Sequence, residues 1–271
     1  MSSIDTYLHG YNKTEQQRLK DQAELTEFVI YQDVNFQESK HILEVGCGVG
    51  AQSEILLRRF PKLKLTGIDM SHDQLQAARE NLKNSNFSED RYEMIEMNAE
   101  KMKFDSYYFD GAFLCWILEH VKNPTRILSE VRRVLKPGSP IYITEVMNSS
   151  FFLDPYAPHV WKYWMAFNDF QYETGGDPFI GAKLGNFLFS LGFKNITTSV
   201  KTWHFDNREP KKRQQMMAFW TELLKSGAPA LLEHKKVDQT LVEKMEEELE
   251  QISTDPNGVI HYSFMQASAI T

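Results

Sequence analysis

The sequence has 271 residues, of which 42% are hydrophobic and 25% are charged, and its formal net charge at pH 7 is −7. This size predicts one large domain, or one domain with a sizeable insertion, and the composition is that of an ordinary soluble globular protein. The acidic balance argues against nucleic acid as a partner, because contacts to a phosphate backbone require clustered Lys and Arg.

The residue pattern also argues against a membrane protein and a metal site. No apolar run approaches the ~20 residues that span a bilayer. Residues 1–10 lack the basic start and apolar centre of a signal peptide, so we expect a cytoplasmic protein without a membrane partner. The two cysteines, Cys47 and Cys115, lack the spacing of metal ligands and are too few for a disulfide framework. We therefore expect no metal.

The first half of the chain alternates helical and strand patterns. A capping-box pattern at Thr14-Glu15-Gln16-Gln17 predicts a helix over residues 14–32. Five predicted strands follow, at residues 42–45, 63–68, 92–97, 109–116 and 141–146. Predicted helices between them cover residues 50–60, 71–84 and 124–135, and Ser71 is the expected N-cap of the second. Strands that alternate with helices predict an α/β fold with a doubly wound sheet.

The pattern changes after residue 146. Residues 151–172 contain nine aromatic side chains, and Trp161, Trp164, Met165 and Asn168 have the spacing of one helix face. The remaining predicted elements are a short helix at 180–191, a strand at 196–205, a helical stretch at 211–253 and a last strand at 259–269. We expect about seven strands in the sheet, with the last strand antiparallel to its neighbour.

These elements predict a main domain at residues 37–271, preceded by a helical cap segment at residues 1–36. Two segments interrupt the strand pattern, at about residues 147–185 and 206–257, and are predicted to be helical lids. The aromatic density of the first lid favours an enclosed, largely apolar pocket for a small molecule.

The most informative stretch is a predicted strand followed by glycines at alternate positions, Gly46, Gly48 and Gly50. A second apolar run ends in Asp69, 23 residues after Gly46. A strand, an exposed backbone loop, a helix and a second strand that ends in a carboxylate are typical of a site for a nucleoside-containing cofactor. The glycines alone leave the cofactor open, because Gly46, Gly48 and Ala51 also fit the dinucleotide-binding fingerprint.

The residue two positions before the first glycine favours one kind of cofactor. Glu44 places a carboxylate beside the loop, where it would repel a pyrophosphate and attract a ligand that carries ammonium and sulfonium cations. Further motifs follow in the sequence Phe109-Asp110, Leu118-Glu119-His120 and Leu135-Lys136-Pro137-Gly138.

Taken together, these motifs resemble the Rossmann-like (class I) S-adenosylmethionine-dependent methyltransferases. Residues 44–50, 67–69, 97–99, 109–120 and 135–138 match that family in order and spacing. The resemblance covers about residues 40–146. The N-terminal residues 7–19 are similar to a small-molecule subgroup of the same family.

The resemblance implies a role for each matching residue. The loop glycines would let the backbone approach the methionine part of S-adenosylmethionine, since a Cβ would block that approach. Asp69 would accept hydrogen bonds from the ribose hydroxyls, and Asn98, where the family usually has Asp, would accept one from the adenine amino group. The predicted cofactor-binding residues are Tyr7, Tyr11, Arg18, Glu44, Gly46, Cys47, Gly48, Gly50, Asp69, Met70, Gln74, Asn98, Ala99, Leu114 and Cys115.

The sequence indicates the catalytic group less clearly than the cofactor-binding residues. Methyl transfer from a sulfonium mainly requires proximity and orientation, and a general base only where the acceptor must lose a proton. His120 is the predicted base from the family pattern, and the alternative is that it caps or packs the following helix. His159, His204 and His261 are weaker candidates.

The predicted acceptor pocket consists of Trp116, Trp161, Trp164 and Phe167. The alternative for Trp161, Trp164 and Phe167 is a structural role in the hydrophobic base of the lid. A lid rich in aromatic residues fits a small organic acceptor better than a long nucleic acid, which would require a basic channel.

The leading prediction is therefore an enzyme that methylates a small organic molecule. The alternatives are a protein or peptide methyltransferase, for which an acidic surface would suit a basic peptide, an NAD-dependent oxidoreductase, and a non-catalytic S-adenosylmethionine-binding regulator. The helical stretch near the C-terminus is compatible with a homodimer and equally with an intramolecular lid.

Overall fold

The computed structural model describes residue 10 and residues 12–271. This part of the chain contains eight α-helices and eight β-strands. In chain order they are α1 (Lys13–Ile30), β1 (His41–Val45), α2 (Ala51–Arg59), β2 (Lys64–Asp69), α3 (His72–Asn84), β3 (Tyr92–Glu96), β4 (Gly111–Cys115), α4 (Pro124–Val134), β5 (Pro140–Val146), β6 (Phe152–Asp154), α5 (Pro158–Glu173), α6 (Leu184–Ser190), β7 (Lys194–Phe205), α7 (Pro210–Glu233), α8 (Gln239–Thr254) and β8 (Val259–Ile270). Among these helices, none combines the length and the apolar composition that crossing a bilayer requires.

The described strands form one mixed sheet. Five of them are parallel, in the order β3-β2-β1-β4-β5. β8 runs antiparallel beside β5, and β7 runs antiparallel along the other side of β8. The predicted α/β sheet with an antiparallel last strand is therefore confirmed. The count rises from about seven to eight because the short β6, which pairs with the start of β8, forms inside the first predicted lid.

The strand order reverses between β1 and β4. From this point β2 and β3 extend the sheet on one side, and β5 extends it on the other. The loops beyond the carboxyl ends of two such strands diverge and leave a crevice for ligands. β1 ends at Val45 and β4 at Cys115, so the loops after these residues border the crevice.

Two hydrophobic clusters cover the two faces of the sheet. Neighbouring residues of β1 alternate between them, with Ile42 in one cluster and Leu43 in the other, as the two-residue period of a strand requires. Residues of α1, α2, α3, α5, α7 and α8 belong to the first cluster, and residues of α4 and α6 belong to the second. The segments predicted as lids thus share a core with the N-terminal helix.

Polar contacts join the three helices of the predicted lids. The Glu248 carboxylate of α8 accepts hydrogen bonds from His159 N and Val160 N, at 2.8 and 3.0 Å, in the first turn of α5. Backbone N–H groups there have no partner within their own helix, and the helix dipole favours a negative charge. Tyr163 Oη of α5 donates to Leu224 O of α7 at 2.6 Å. These contacts connect α5, α7 and α8 into one layer.

The start of α1 differs from the expectation. The helix begins at Lys13 because Asn12, two residues before Thr14, is the N-cap, and its Oδ1 accepts a hydrogen bond from Glu15 N at 2.9 Å. The predicted N-cap Ser71 is confirmed, since its side chain accepts from Gln74 N.

Two details in the second half of the chain go beyond the sequence pattern. The stretch 211–253 is not continuous, because α7 ends at Glu233 and Asp238 caps a new helix through a 2.7 Å hydrogen bond from Leu241 N to its Oδ1. Of the four residues whose spacing placed them on one face of this helix, Trp164 and Asn168 are buried, whereas Met165 is exposed.

Candidate functional site

A cavity of about 550 Å³ lies at the crevice between β1 and β4. One end, here called the glycine end, is lined by residues 45–49, the tip of β2 at residues 68–70, and residues 97–99. The other end, here called the aromatic end, is lined by Trp116, Trp164, Phe167, Trp203, Phe219, Trp220 and Tyr262. The cavity therefore joins the predicted cofactor loop to the layer of α5 and α7.

The glycine loop has a backbone that only glycine adopts easily. Gly46 has φ +70° and Gly48 has φ +49°, in the left-handed region that costs other residues free energy. A Cβ on Gly46 would approach Ile117 Cδ1 to 2.7 Å, whereas a Cβ on Gly48 would meet no protein atom within 4 Å. Gly46 N and Cys47 N both donate to Ile68 O, at 2.8 and 3.1 Å. The loop is thus tied to β2 and leaves open space above Gly48.

Asp69 is fixed at the tip of β2 by backbone donors. Its Oδ2 accepts a hydrogen bond from Gly48 N at 3.0 Å, and its Oδ1 accepts one from Ser71 N at 2.9 Å. Burial raises the pKa of this carboxyl, and the two backbone donors oppose that rise. Asp69 also lines the cavity, so one acidic group borders both the glycine loop and the open space.

Of the predicted cofactor and acceptor residues, most line the cavity. They are Arg18, Gly46, Cys47, Gly48, Asp69, Met70, Gln74, Asn98, Ala99, Cys115, Trp116, His120, Trp164 and Phe167. Tyr7 and Tyr11 lie outside the described residues. The structure does not place Glu44, Gly50, Leu114 or Trp161 on the cavity wall.

Glu44 is directed to the helix that follows the loop. Its Oε2 accepts a hydrogen bond from Ser53 Oγ at 2.5 Å, and the residue is buried. Burial raises the pKa of Glu44 to about 8, the Asp69 charge adds to the rise, and the Ser53 hydroxyl opposes it. The expectation of a charged carboxylate beside the ligand is therefore corrected: this group lies behind the loop and is mostly protonated at neutral pH.

Packing explains why the other three residues lie off the cavity wall. Gly50 is the N-cap of α2, and a Cβ there would lie 3.1 Å from Ala78 Cβ. Leu114 lies inside the sheet, paired with β1 and β5, and its side chain belongs to the cluster beneath α4. Trp161 packs beside Phe151, with ring centroids 5.8 Å apart.

α1 borders the glycine end through a network of side chains. Arg18 is buried and forms two hydrogen bonds to the Glu15 carboxylate, at 2.6 and 2.7 Å, and one to Gln22 Oε1 at 2.9 Å. Gln16 Nε2 donates to Gln74 Oε1 at 3.1 Å. The bond between Gln16 and Gln74 connects α1 to α3 beside the cofactor loop, and the Arg18 bonds lie within α1.

Asn98 begins a tight turn at the glycine end. Its Oδ1 accepts a hydrogen bond from Glu100 N at 2.8 Å. The oxygen that was predicted to accept from an adenine amino group therefore already has a backbone donor, which leaves its second lone pair for that role.

The turn after β4, which brings charged residues to the cavity wall, is held in place by a buried carboxyl group. Trp116 has φ +54°, which is unusual for a bulky residue and marks local strain. The buried Glu145 of β5 accepts hydrogen bonds from Ile117 N at 3.0 Å, Leu118 N at 2.7 Å and Glu119 N at 3.3 Å. Burial and the neighbouring Glu119 carboxylate raise the pKa of Glu145 well above its usual value. This carboxyl therefore acts as the anchor of the turn.

The predicted base lies on this turn. His120 lines the cavity, and its Nε2 is 3.6 Å from Glu119 Oε1. Glu119 also lines the cavity and accepts a hydrogen bond from Gln171 Nε2 at 3.0 Å. The other candidate histidines are not on the wall: His159 binds Glu248, and the rings of His204 and His261 lie 5.9 Å from each other.

Several residues of the site had not been predicted. They are Glu119, Gln171, Trp203, Phe219, Trp220 and Tyr262. Glu119 belongs to the Leu118-Glu119-His120 motif, so the sequence already pointed to its position near the site. The others come from α5, β7, α7 and β8, and nothing in their local sequence shows that they meet.

Known sequences resemble one segment of this chain. The profile of a family described as "Methyltransferase domain" matches residues 43–143. A sterol 4-C-methyltransferase of Caenorhabditis elegans is 27% identical over 152 residues, which are 54% of this chain and 45% of that protein. A trans-aconitate 2-methyltransferase of Rhodopseudomonas palustris is 31% identical over 105 residues, which are 39% of this chain and 38% of that protein. The chain thus spans less than half the length of these relatives.

Solved structures share the fold over most of this chain. Haemonchus contortus phosphoethanolamine N-methyltransferase 2, in complex with phosphomonomethylethanolamine and S-adenosylhomocysteine, has a TM-score of 0.58 and 17% identity, and the match covers 92% of this chain and 53% of that one. Geranyl diphosphate C-methyltransferase of Streptomyces coelicolor has a TM-score of 0.54 and 13% identity, with 92% and 78% covered.

The strand order, the left-handed glycines and Asp69 at the tip of β2 agree with these findings. The open space above Gly48 fits a bound cofactor at the loop. Residues 43–143 therefore match a methyltransferase domain, and the fold around them is shared with solved methyltransferases.

Proposed function

We propose that this protein is a methyltransferase that transfers the methyl group of S-adenosylmethionine to a small organic acceptor. The observation that carries the proposal is the single cavity that joins the glycine end to the aromatic end. A cofactor at the loop and an acceptor among the aromatic side chains would share one enclosed space. Methyl transfer requires such an arrangement, because the two reacting atoms must be aligned and close together.

Bound S-adenosylmethionine would supply a methyl group on a good leaving group. The protein then needs to bind, orient and exclude water. The glycine loop and Asp69 hold the cofactor on this proposal, with Met70, Asn98 and Ala99 around the adenine. His120 would take a proton only from an acceptor that must lose one before or during transfer, and the Glu119 carboxylate 3.6 Å away would stabilise the imidazolium formed.

The helices above the sheet serve as the cover of the site in this proposal. Segments 147–185 and 206–257 contribute Trp164, Phe167, Phe219 and Trp220 to the cavity wall, and residues 1–36 contribute Arg18. The first two segments act as lids of a main domain at 37–271, and the third acts as a cap beside the cofactor. Enclosure by aromatic side chains suits a small molecule.

The names of related proteins support an acceptor of this size. They include a sterol, trans-aconitate and geranyl diphosphate methyltransferases, and a phosphoethanolamine enzyme with phosphomonomethylethanolamine bound. These acceptors differ widely in charge, so the relatives support only the class of small organic molecules. A protein or peptide acceptor is the second candidate, and an extended open groove would be expected for it.

Isothermal titration calorimetry with S-adenosylmethionine, S-adenosylhomocysteine and NAD tests the cofactor first. We expect both adenosyl ligands to bind and NAD not to bind. Binding of NAD alone would overturn the proposal and favour an oxidoreductase. A mixture of small acceptors and basic peptides, incubated with S-adenosylmethionine and analysed by mass spectrometry for a gain of one methylene unit, then separates the two acceptor classes.

A further inference from the structure

A carboxylate borders the aromatic end of the cavity. Glu119, on the turn after β4, lines the cavity and is 8% exposed. Its Oε2 accepts a hydrogen bond from Gln171 Nε2 at 3.0 Å. Trp164, Phe167 and Gln171 line the same cavity from α5, and their spacing of three and four residues places them on one helix face. Gln171 therefore holds the Glu119 carboxylate beside the aromatic side chains of that face.

This carboxylate has no strong cationic partner in the described part of the chain. No Lys or Arg side chain there forms an ion pair with Glu119. His120 Nε2 lies 3.6 Å from Glu119 Oε1, which is longer than a hydrogen bond. Arg18, a basic residue of the cavity wall, is paired with Glu15 at 2.6 Å. The hydrogen bond that Glu119 accepts from a side chain is therefore donated by a neutral amide.

One oxygen of Glu119 is available to a ligand. Among the described residues, the side-chain donor to this carboxylate binds Oε2 and leaves Oε1 without a hydrogen bond. Oε1 is also not one of the fully enclosed unpaired atoms of that part of the chain. A mostly buried carboxylate without a counter-charge costs free energy. Its presence in a cavity wall therefore indicates a ligand that carries a positive charge.

The side chains around Glu119 suit a cation with an apolar body. Trp116, Trp164 and Tyr262 line the cavity, and the face of an aromatic ring attracts an ammonium group. Burial raises the pKa of Tyr262 well above its usual value, and the Glu119 charge adds to the rise, which agrees with a carboxylate near these rings. Glu119 would repel an anion, and an uncharged ligand would leave it without a counter-charge.

We propose that the acceptor is an amine that is positively charged at neutral pH, and that Glu119 determines this specificity by pairing with the ammonium group. The apolar part of the amine lies among the aromatic side chains, where cation–π contacts add to the ion pair. This inference deepens the proposed function and depends on it, since the amine is the small acceptor that shares the cavity with the cofactor.

The test uses three probes with one ring system: 2-naphthylmethylamine, 2-naphthylmethanol and 2-naphthoate. Each is titrated at pH 7.5 into protein saturated with S-adenosylhomocysteine, which has no methyl group to transfer. We expect the amine to bind at least about tenfold more tightly than the alcohol, as a hydrogen bond between charged groups implies. The anion should bind more weakly than either. Equal or tighter binding of the alcohol or the anion, or no binding of the amine, would overturn the inference.

A neutral variant locates the recognition of the charge. Glu119→Gln removes the charge but keeps the shape of the side chain, and its amide oxygen can still accept from Gln171. The amine should lose its preference over the alcohol, while the alcohol and S-adenosylhomocysteine bind as in the wild type. A retained preference would refute the assignment. An equal loss of affinity for S-adenosylhomocysteine would also refute it, because Glu119 would then pair with the cofactor.

Glu100→Gln is the matched control for the loss of a carboxylate from the cavity. Glu100 also lines the cavity, but from the loop after β3. This variant should keep the preference for the amine. If it loses the preference as Glu119→Gln does, the total negative charge of the cavity attracts the amine and Glu119 is not its specific partner.

The order of measurements separates the two proposals. If S-adenosylhomocysteine does not bind to the wild-type protein, the proposed function fails. If it binds and the preference for the amine is absent, the proposed function stands and only the acceptor inference fails.

Discussion

The two ends of the cavity are constructed in different ways. The glycine end is mostly backbone, with left-handed glycines and one aspartate supplied by neighbouring strand tips between residues 45 and 99. The aromatic end is mostly side chains, and its members come from positions as distant as Trp116 and Tyr262. A site formed by backbone at strand ends corresponds to short local motifs in the sequence. A site formed by side chains from distant helices and strands has no such local motif.

The two ends of the cavity also differ in their charged groups. Carboxyl groups with a raised pKa lie at or behind the glycine end and the turn after β4: Glu44 and Glu145 are buried, and Asp69 is partly buried. The aromatic end depends on neutral hydrogen bonds and ring contacts. The two ends should therefore respond differently to pH and to substitution, and the following predictions test that contrast.

The largest expected effect is the pH dependence of stability that Glu44 causes. Glu44 keeps its proton in the folded state up to a pKa of about 8, whereas in the unfolded state it ionises near 4.5. The folded state thus binds more protons between these pH values, so the free energy of unfolding falls as pH rises through this window, by at most about 5 kcal/mol. Glu44→Gln should remove that slope in urea denaturation measured from pH 5 to 9.

Ser53→Ala provides the matched variant for this prediction. The Ser53 hydroxyl lowers the pKa of Glu44, so its removal should extend the falling limb to higher pH. Trp220→Phe, at the aromatic end, should leave the slope as in the wild type. Equal slopes in the wild type and Glu44→Gln would show that Glu44 does not titrate within this window.

The second prediction concerns Asp69 and the affinity for the cofactor. Asp69→Ala removes the proposed acceptor for the ribose hydroxyls and leaves Gly48 N and Ser71 N without their partner. We expect the affinity for S-adenosylhomocysteine to fall about 100-fold or more, which corresponds to about 3 kcal/mol. Asp73→Ala, at an exposed position in the first turn of α3, should change it little. Unchanged binding in Asp69→Ala would refute the ribose assignment.

The sequence predicted the glycine end well because its constraints are local. Positive φ at Gly46 and Gly48 requires glycine, and the carboxylate of Asp69 lies where a buried strand ends. The same locality explains why the five parallel strands and the antiparallel last strand were predicted. Glu44 shows the limit: its position was evident, but a hydrogen bond to Ser53 sets its direction, and residue spacing does not reveal that bond.

The aromatic end could be predicted only in part. Trp164 and Phe167 lie in a run of aromatic residues that attracts attention, but Trp161, from the same run, packs behind the wall. Trp203 lies on a strand and Trp220 inside a long helix. Their meeting depends on how α7 packs against β7 and β8, and this is a property of the tertiary structure rather than of a local pattern.

The third prediction separates protein stability from ligand affinity within the glycine loop. Gly46→Ala should lower the free energy of unfolding by about 2 kcal/mol, because it combines a left-handed backbone with a close contact to Ile117. The Cβ added in Gly48→Ala would have no protein atom within 4 Å. This substitution should therefore lower the free energy of unfolding by only about 1 kcal/mol, the cost of the left-handed backbone. The affinity for S-adenosylhomocysteine should nevertheless fall at least tenfold in Gly48→Ala, since the new methyl group occupies the open space. Full affinity in Gly48→Ala would exclude a cofactor above that residue.

The smallest expected effect tests whether the two ends are energetically separate. Glu248→Gln weakens the carboxylate cap that joins α8 to the first turn of α5, and loss of such a cap costs about 1 kcal/mol. Because α5 carries Trp164 and Phe167, which line the aromatic end, the binding of a small aromatic probe such as 2-naphthol should weaken severalfold. S-adenosylhomocysteine should bind as before, since its proposed contacts lie on other elements.

Glu247→Gln, one residue earlier and exposed, is the control for the loss of a negative charge on α8. It should leave unfolding and both affinities unchanged. If Glu248→Gln instead weakens both ligands equally, the layer of α5, α7 and α8 stabilises the whole cavity as one unit. The distinction between the glycine end and the aromatic end would then describe how the sequence specifies the site. It would not describe how the stability and ligand affinity of the site respond to substitution.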